Sequence, residues 1–179
     1  MQNNQFPSRK NHHLPTEYYA DRKYYFITIV TQDRKCLFGD IKDGEMILNT
    51  AGRMVKDTYI DMSKEVEIVA DPIVVVMPNH IHFLLFNHDG ETPNVKDFVQ
   101  AFKRKTTNLY IRGVKSHQLI AFDKKVWQRD YYDRIVRNQR ELNYIHNYIY
   151  TNPMRWDMDL LNEHHGEEVD NINDNLKML

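Results

Sequence analysis

Two histidines one residue apart, His80 and His82, interrupt an otherwise apolar run, VVVMPNHIHFLLF at residues 74–86. A run of this composition reads as a buried strand. Side chains alternate across a strand, so both imidazoles point to one face while Ile81 and Phe83 point to the other. Their Cβ atoms stand about two strand rises apart, ~7 Å. From that separation two ring nitrogens can converge on one cation. Imidazole nitrogens buried without partners are costly, so the residues alone leave two readings open: a metal site, or a sheet face wetted by solvent.

Neighbouring positions narrow the chemistry. A metallo-β-lactamase-type site needs H-x-H-x-D-H and a histidine-triad hydrolase needs a third alternating histidine; Leu84 fits neither. A two-histidine phosphoesterase needs a second H-x-[ST] motif, and the chain has none. Structural zinc requires four nitrogen or sulfur ligands, whereas Cys36 is the single cysteine. Any metal site built on His80 and His82 must be completed from outside the motif.

The elements that must position these residues follow from periodicity. YYFITIVTQ (24–32) is aromatic and β-branched and predicts a strand. DGEMILN reads as a turn and a short extended piece. TAGRMVKDTYIDMSKE carries Met54, Val55, Tyr59 and Met62 at helical spacing, with Thr50 as the candidate N-cap. VEIVADPIVVVM predicts a strand interrupted near Asp71–Pro72, and MPN joins it to HIHFLLF as a hairpin. In TPNVKDFVQAFKRKTTNLYIRG, the residues Val95, Phe98, Val99, Phe102, Thr106 and Leu109 share one helix face, closed by Gly113. KKVWQRDYYDRIV predicts one or two short strands, and NQRELNYIHNYIYTNP a final helix stopped by Pro153. The order β-α-β-β-α-β predicts an α+β fold of ferredoxin-like type, an antiparallel sheet with helices on one face, followed by a C-terminal helix. Residues 1–156 read as one domain and 157–179 as an acidic polar tail.

Three motifs in order now carry a resemblance. PNHIH at 78–82, WQRDYYD at 127–133 and YIYTNP at 148–153 resemble the histidine-hydrophobic-histidine (HUH) single-tyrosine transposases of the IS200/IS605 type. The resemblance is greater to their REP-associated relatives and extends over most of residues 8–156. It implies a ferredoxin-like fold, agreeing with the strand pattern. It also implies that His80 and His82 are metal ligands and that Tyr148, four residues before the asparagine of the NP pair, is the nucleophile. Asn152, one helical turn later, falls at the third ligand's position. The implied cofactor is Mg²⁺ or Mn²⁺. The implied reaction is cleavage and rejoining of single-stranded DNA at hairpin repeats through a 5′-phosphotyrosine. One departure is Arg134, where relatives often carry histidine after YD.

Helix geometry is compatible with this assignment. Leu142, Ile145 and Ile149 define the apolar stripe of the last helix, and Tyr148 and Asn152 stack at i and i+4 on its flank. Tyr144 lies farther toward solvent and Tyr150 on the opposite flank. Tyr131 and Tyr132 remain rival nucleophiles, with stacking on single-stranded bases as their other role.

Charge distribution bears on the partner. The chain carries a net charge of −1, but residues 94–140 hold 12 Lys/Arg against 4 Asp/Glu, and residues 157–179 seven acids against one base. Such asymmetry fits nucleic acid, although a solvated basic helix face accounts for it as well. Lys103, Arg104 and Lys105 on the basic helix, and Lys124, Lys125, Arg129, Arg134 and Arg137 beyond it, are candidate phosphate contacts. Trp127, Tyr131 and Tyr132 are interleaved for base stacking. No apolar run reaches the ~20 residues of a membrane span; one cysteine and no secretory signal predict a cytoplasmic protein. A homodimer and a monomer are both compatible with the sequence. Two other functions compete: a DNA-binding regulator that keeps the fold without the chemistry, and a metal-dependent phosphoesterase that uses water.

Overall fold

The aromatic and β-branched stretch after Arg22 becomes the spine of the molecule. In the computed structural model, which describes residues 23–65, 73–87 and 95–162, it forms β1 (Lys23–Val30). β1 pairs on one side with β5 (His80–Asn87) and on the other with β6 (Tyr132–Ile135), while β4 (Val74–Met77) adds to the far side of β5. The four strands run in the order β4-β5-β1-β6 and every pair is antiparallel. The expected interruption at Asp71–Pro72 and residues 163–179 of the tail lie outside the described residues.

Between β1 and the first helix sits a separate hairpin, β2 (Gly39–Lys42) with β3 (Glu45–Leu48). α1 (Thr50–Glu65) follows. Its cap is Asn49 rather than Thr50, because the Asn49 side-chain oxygen accepts from the Gly52 backbone N–H at 2.9 Å. α2 (Val95–Lys115) continues two residues past Gly113. A Cβ at Gly113 would lie 2.6 Å from Leu119 Cδ1, so the glycine makes room for the chain folding back instead of ending the helix. Tyr110, not Leu109, completes the buried face of α2. α3 (Gln139–Thr151) starts at Asn138, whose side chain accepts from Glu141 N, and passes at Pro153 into a 3₁₀ turn, Pro153–Met158.

Alternation along the strands separates two cores. Ile81, Phe83 and Leu85 of β5, with Tyr25, Ile27 and Ile29 of β1, pack under α1 and α2. Phe98 and Phe102 of α2 meet Phe83 edge-on at centroid distances of 6.2 and 5.8 Å. The other face carries Phe26 and Leu84, covered by Ile145 and Ile149 of α3. The sheet is therefore a ferredoxin-like βαββαβ unit with α1 and α2 on one side and α3 on the other. β5 reads as continuously apolar because both of its faces are covered, and His80 and His82 belong to the α3 side.

The β4–β5 link has two residues, Pro78 and Asn79, since Met77 pairs with His80. Proline holds its φ near −65°, so the primed turns that favour two-residue hairpins are not available. Tertiary bonds secure the turn instead: Thr31 N donates to Asn79 O at 2.8 Å and Phe38 N to Pro78 O at 3.0 Å.

Candidate active site

Strand pairing sets the floor of the site. His82 stands opposite Thr28 on β1, and its Nδ1 lies 2.7 Å from Thr28 Oγ1. His80 Nδ1 lies 2.8 Å from Asn79 Oδ1. The Asn79 amide nitrogen donates to two carbonyls, Arg34 O at 2.9 Å and Leu161 O at 2.6 Å. Those two acceptors fix which end of the amide is nitrogen, so His80 Nδ1 must be the N–H donor and Nε2 carries the lone pair. Both histidines are completely buried, and their rings meet at a centroid distance of 4.5 Å.

Three buried side-chain atoms have no hydrogen-bond partner: His80 Nε2, His82 Nε2 and Asn152 Oδ1. Unsatisfied polar atoms in a covered site call for an explanation. A cation supplies one: His80 Nε2 and Asn152 Oδ1 each offer a lone pair, and so does His82 Nε2 in the tautomer whose Nδ1–H donates to Thr28 Oγ1. A fourth donor comes from the segment after α3: Asp159 Oδ2 lies 3.7 Å from His80 Nε2. His80, His82 and Asp159 are all buried, with ligand atoms within 4.8 Å of one another, and form a group able to hold a metal ion. Burial keeps both imidazoles neutral, the state that binds metal: His80 is pushed down to about 3, and His82 is lowered by burial and then by His80.

Tyr148 is half-buried on the flank of α3, its ring edge-on to His82 at 5.4 Å and to Phe26 at 5.9 Å. Burial, and next the Asp159 carboxylate, hold its phenol well above the ordinary range; a hydrogen bond with the Asn152 side chain pulls the other way. The helix thus delivers Tyr148 and Asn152 together, one turn apart, beside the histidine pair. Tyr131 is buried, and desolvation raises its hydroxyl to about 12.

The remaining sequence-predicted residues separate into two groups. Trp127 is buried; its indole N–H donates to Thr106 Oγ1 at 2.9 Å and its ring packs against Phe38 and Phe102. It braces the core and presents no stacking face. Lys103 donates to the Gln128 and Arg129 carbonyls at 2.7 and 2.8 Å. Arg134 pairs with buried Glu141 at 2.7 Å, linking β6 to α3. Arg104, Lys105, Lys124, Lys125, Arg129 and Arg137 are exposed, as is Tyr132 at 41%. Arg104 and Lys105 lie on α2, across the sheet from His80 and His82.

Sequence reasoning missed Asp159, Asn79 and Thr28. Asp159 was grouped with the acidic tail, yet Asp159, Leu161 and Asn162 are buried. The signal was Leu160–Leu161 and Trp156 among the acids, an apolar pattern a solvated tail does not need. No helix among the described residues is long and apolar enough to cross a membrane.

Comparison with known proteins places this geometry in a family. The protein is 30% identical over 163 residues to an uncharacterized protein of Haemophilus influenzae, covering 80% of this chain and 87% of that one. A solved REP-associated tyrosine transposase bound to a REP hairpin shares the fold, with a TM-score of 0.53 at 18% identity over 76% of this chain and 70% of that one. The family model described as "Transposase IS200 like" matches residues 18–152. This span holds the strand with its two histidines, the last helix with Tyr148, and Asn152 at its end, and the chain belongs to the IS200-like transposase family.

Proposed function

We propose that this transposase cleaves and rejoins single-stranded DNA at hairpin repeats, with Tyr148 as nucleophile over a divalent cation held by His80, His82, Asn152 and Asp159. The observation that carries the proposal is a pair of buried, unpartnered imidazole nitrogens grouped with the Asp159 carboxylate beside the Tyr148 ring. Two imidazoles, an amide oxygen and a carboxylate suit Mn²⁺ better than Mg²⁺, which prefers an all-oxygen shell. When bound, the ion polarises the scissile phosphate and offsets the charge that develops on it.

The chain's own groups do the rest. The Tyr148 oxygen bonds to phosphorus as the bond to the 3′ oxygen breaks; the phenol proton is released and the departing alkoxide takes one up. The products are a 5′-phosphotyrosine and a 3′-hydroxyl. The new ester retains the phosphodiester character of the broken bond, so attack by another 3′-hydroxyl reverses the step without an external energy source. Asn152 orients the phenol from one turn away, and Thr28 and Asn79 hold the imidazoles by their far nitrogens.

The test is incubation with labelled single-stranded hairpin oligonucleotides and Mn²⁺, followed by a denaturing protein gel. The substrates are drawn from repeats flanking the gene. Wild type is expected to give a labelled protein band that Tyr148→Phe abolishes. A band that persists in the variant moves the nucleophile to another tyrosine. Cleavage without an adduct indicates water as nucleophile, and binding without cleavage a regulator.

A further inference from the structure

The Asn79 side chain bonds to two parts of the site through its oxygen and both amide hydrogens. Its Oδ1 accepts from His80, while its Nδ2 holds Leu161, two residues beyond Asp159. The second Nδ2 hydrogen goes to Arg34 O. Arg34 in turn donates from Nη1 to Leu160 O at 3.0 Å. The segment that brings Asp159 to His80 is therefore gripped at consecutive carbonyls by Arg34 and Asn79. Asp159 adds its own closure, accepting from Leu161 N at 2.8 Å.

The backbone at Arg34 is held in an uncommon conformation. Asp33 and Arg34 are consecutive non-glycine residues in the left-handed region, with φ of 55° and 52°. Such a pair persists only where surrounding contacts over-determine it. Here it presents both the carbonyl and the guanidinium of Arg34 to the latch. Asn79 is fully buried, so no solvent substitutes for a lost contact.

We propose that Asn79 is a positioning residue that couples the two halves of the metal site: it sets the tautomer of His80 and, through Leu161, delivers the Asp159 carboxylate. The inference rests on the metal reading above. Through a single amide, the short β4–β5 turn decides both which nitrogen of His80 faces the ion and whether a carboxylate stands opposite.

The test is titration of the metal-free full-length protein with Mn²⁺, reading free ion by electron paramagnetic resonance. Asn79→Ala is expected to weaken binding roughly 10- to 100-fold, the range for outer-shell partners of ligands. Asn79→Asp keeps the acceptor for His80 but sets a carboxylate against two carbonyls, so it is expected to match Asp159→Ala. Adding Asp159→Ala to either Asn79 variant is expected to weaken binding by less than the product of the single effects. Wild-type affinity in Asn79→Ala, or single effects that multiply in full, overturns the coupling. Where Asn79→Ala does not fold, the near-isosteric Asn79→Asp, alone and with Asp159→Ala, gives the same decision. A wild type that binds no Mn²⁺, or a His80→Ala protein that binds as wild type does, overturns the metal reading itself. Wild-type binding with unaffected Asn79 variants overturns only the coupling.

Discussion

At the scale of single residues, the two histidines announce themselves because polar rings in an apolar strand demand an explanation. What the chain cannot announce is who satisfies them. Thr28 sits 54 positions from His82 and Asp159 sits 79 positions from His80; only strand pairing and a returning segment bring them together. The neutrality of the pair has a consequence for stability. An unfolded histidine takes up a proton near pH 6.5, whereas folded His80 resists until about 3 and His82 is lowered as well. Between those values the unfolded chain binds more protons, so stability is complete above about 6.5 and declines as the pH falls towards 3. The slope is about 1.4 kcal/mol per pH unit for each histidine that stays neutral. Urea midpoints of chelator-treated protein are therefore expected to drop from pH 7.5 to pH 5.5, and to drop less in His80→Gln. A midpoint that does not move over that interval would contradict the burial described above.

Secondary elements were largely legible, and their misreadings have local causes. The period of α1 located it, but Asn49 captures the cap because its side chain reaches Gly52 N. Gly113 resembles a helix stop, and only the return of Leu119 over it shows why the helix tolerates it. Trp127 looked like a base-stacking residue in a basic stretch, while its packing depends on Phe38 and Phe102, both distant in sequence. Gly52 gives this scale its prediction. A Cβ there would lie 2.1 Å from Phe38 O, a backbone atom held in turn by Asn49 N. Alanine in a helix interior ordinarily gains up to about 1 kcal/mol over glycine. In Gly52→Ala that gain is expected to be outweighed by overpacking of roughly 1–3 kcal/mol or more, as α1 is forced off the β2–β3 hairpin. Urea unfolding decides it: a variant as stable as wild type would mean that the contact yields freely.

For the molecule as a whole, the sheet divides labour. One face is closed by α1 and α2 over the larger core, and the other holds the candidate site beneath α3. The excess positive charge between residues 94 and 140 was visible in the sequence, but its geometry was not. Lys103 is spent on two carbonyls and Arg134 on Glu141, which leaves Arg104 and Lys105 as the exposed part of the KRK triplet. They face away from the sheet, on the order of 15–20 Å from the histidines once a helix and its packing distance are crossed. A strand segment threaded past Tyr148 cannot touch both surfaces unless more of the DNA wraps the edge of the sheet. Arg104→Ser combined with Lys105→Ser is therefore expected to leave binding of a short unpaired oligonucleotide unchanged. The same pair is expected to weaken binding of a longer hairpin and to lower its salt slope by up to about 2, since each phosphate contact contributes close to one unit. Lys103→Ala should behave differently, lowering the unfolding midpoint because the 128–129 loop loses its anchor, with little change in slope. Fluorescence anisotropy over a series of NaCl concentrations, with both oligonucleotides, separates these cases. An equal loss on the short strand would place the α2 face in direct contact with the DNA at the candidate site, which the two-layer arrangement does not allow.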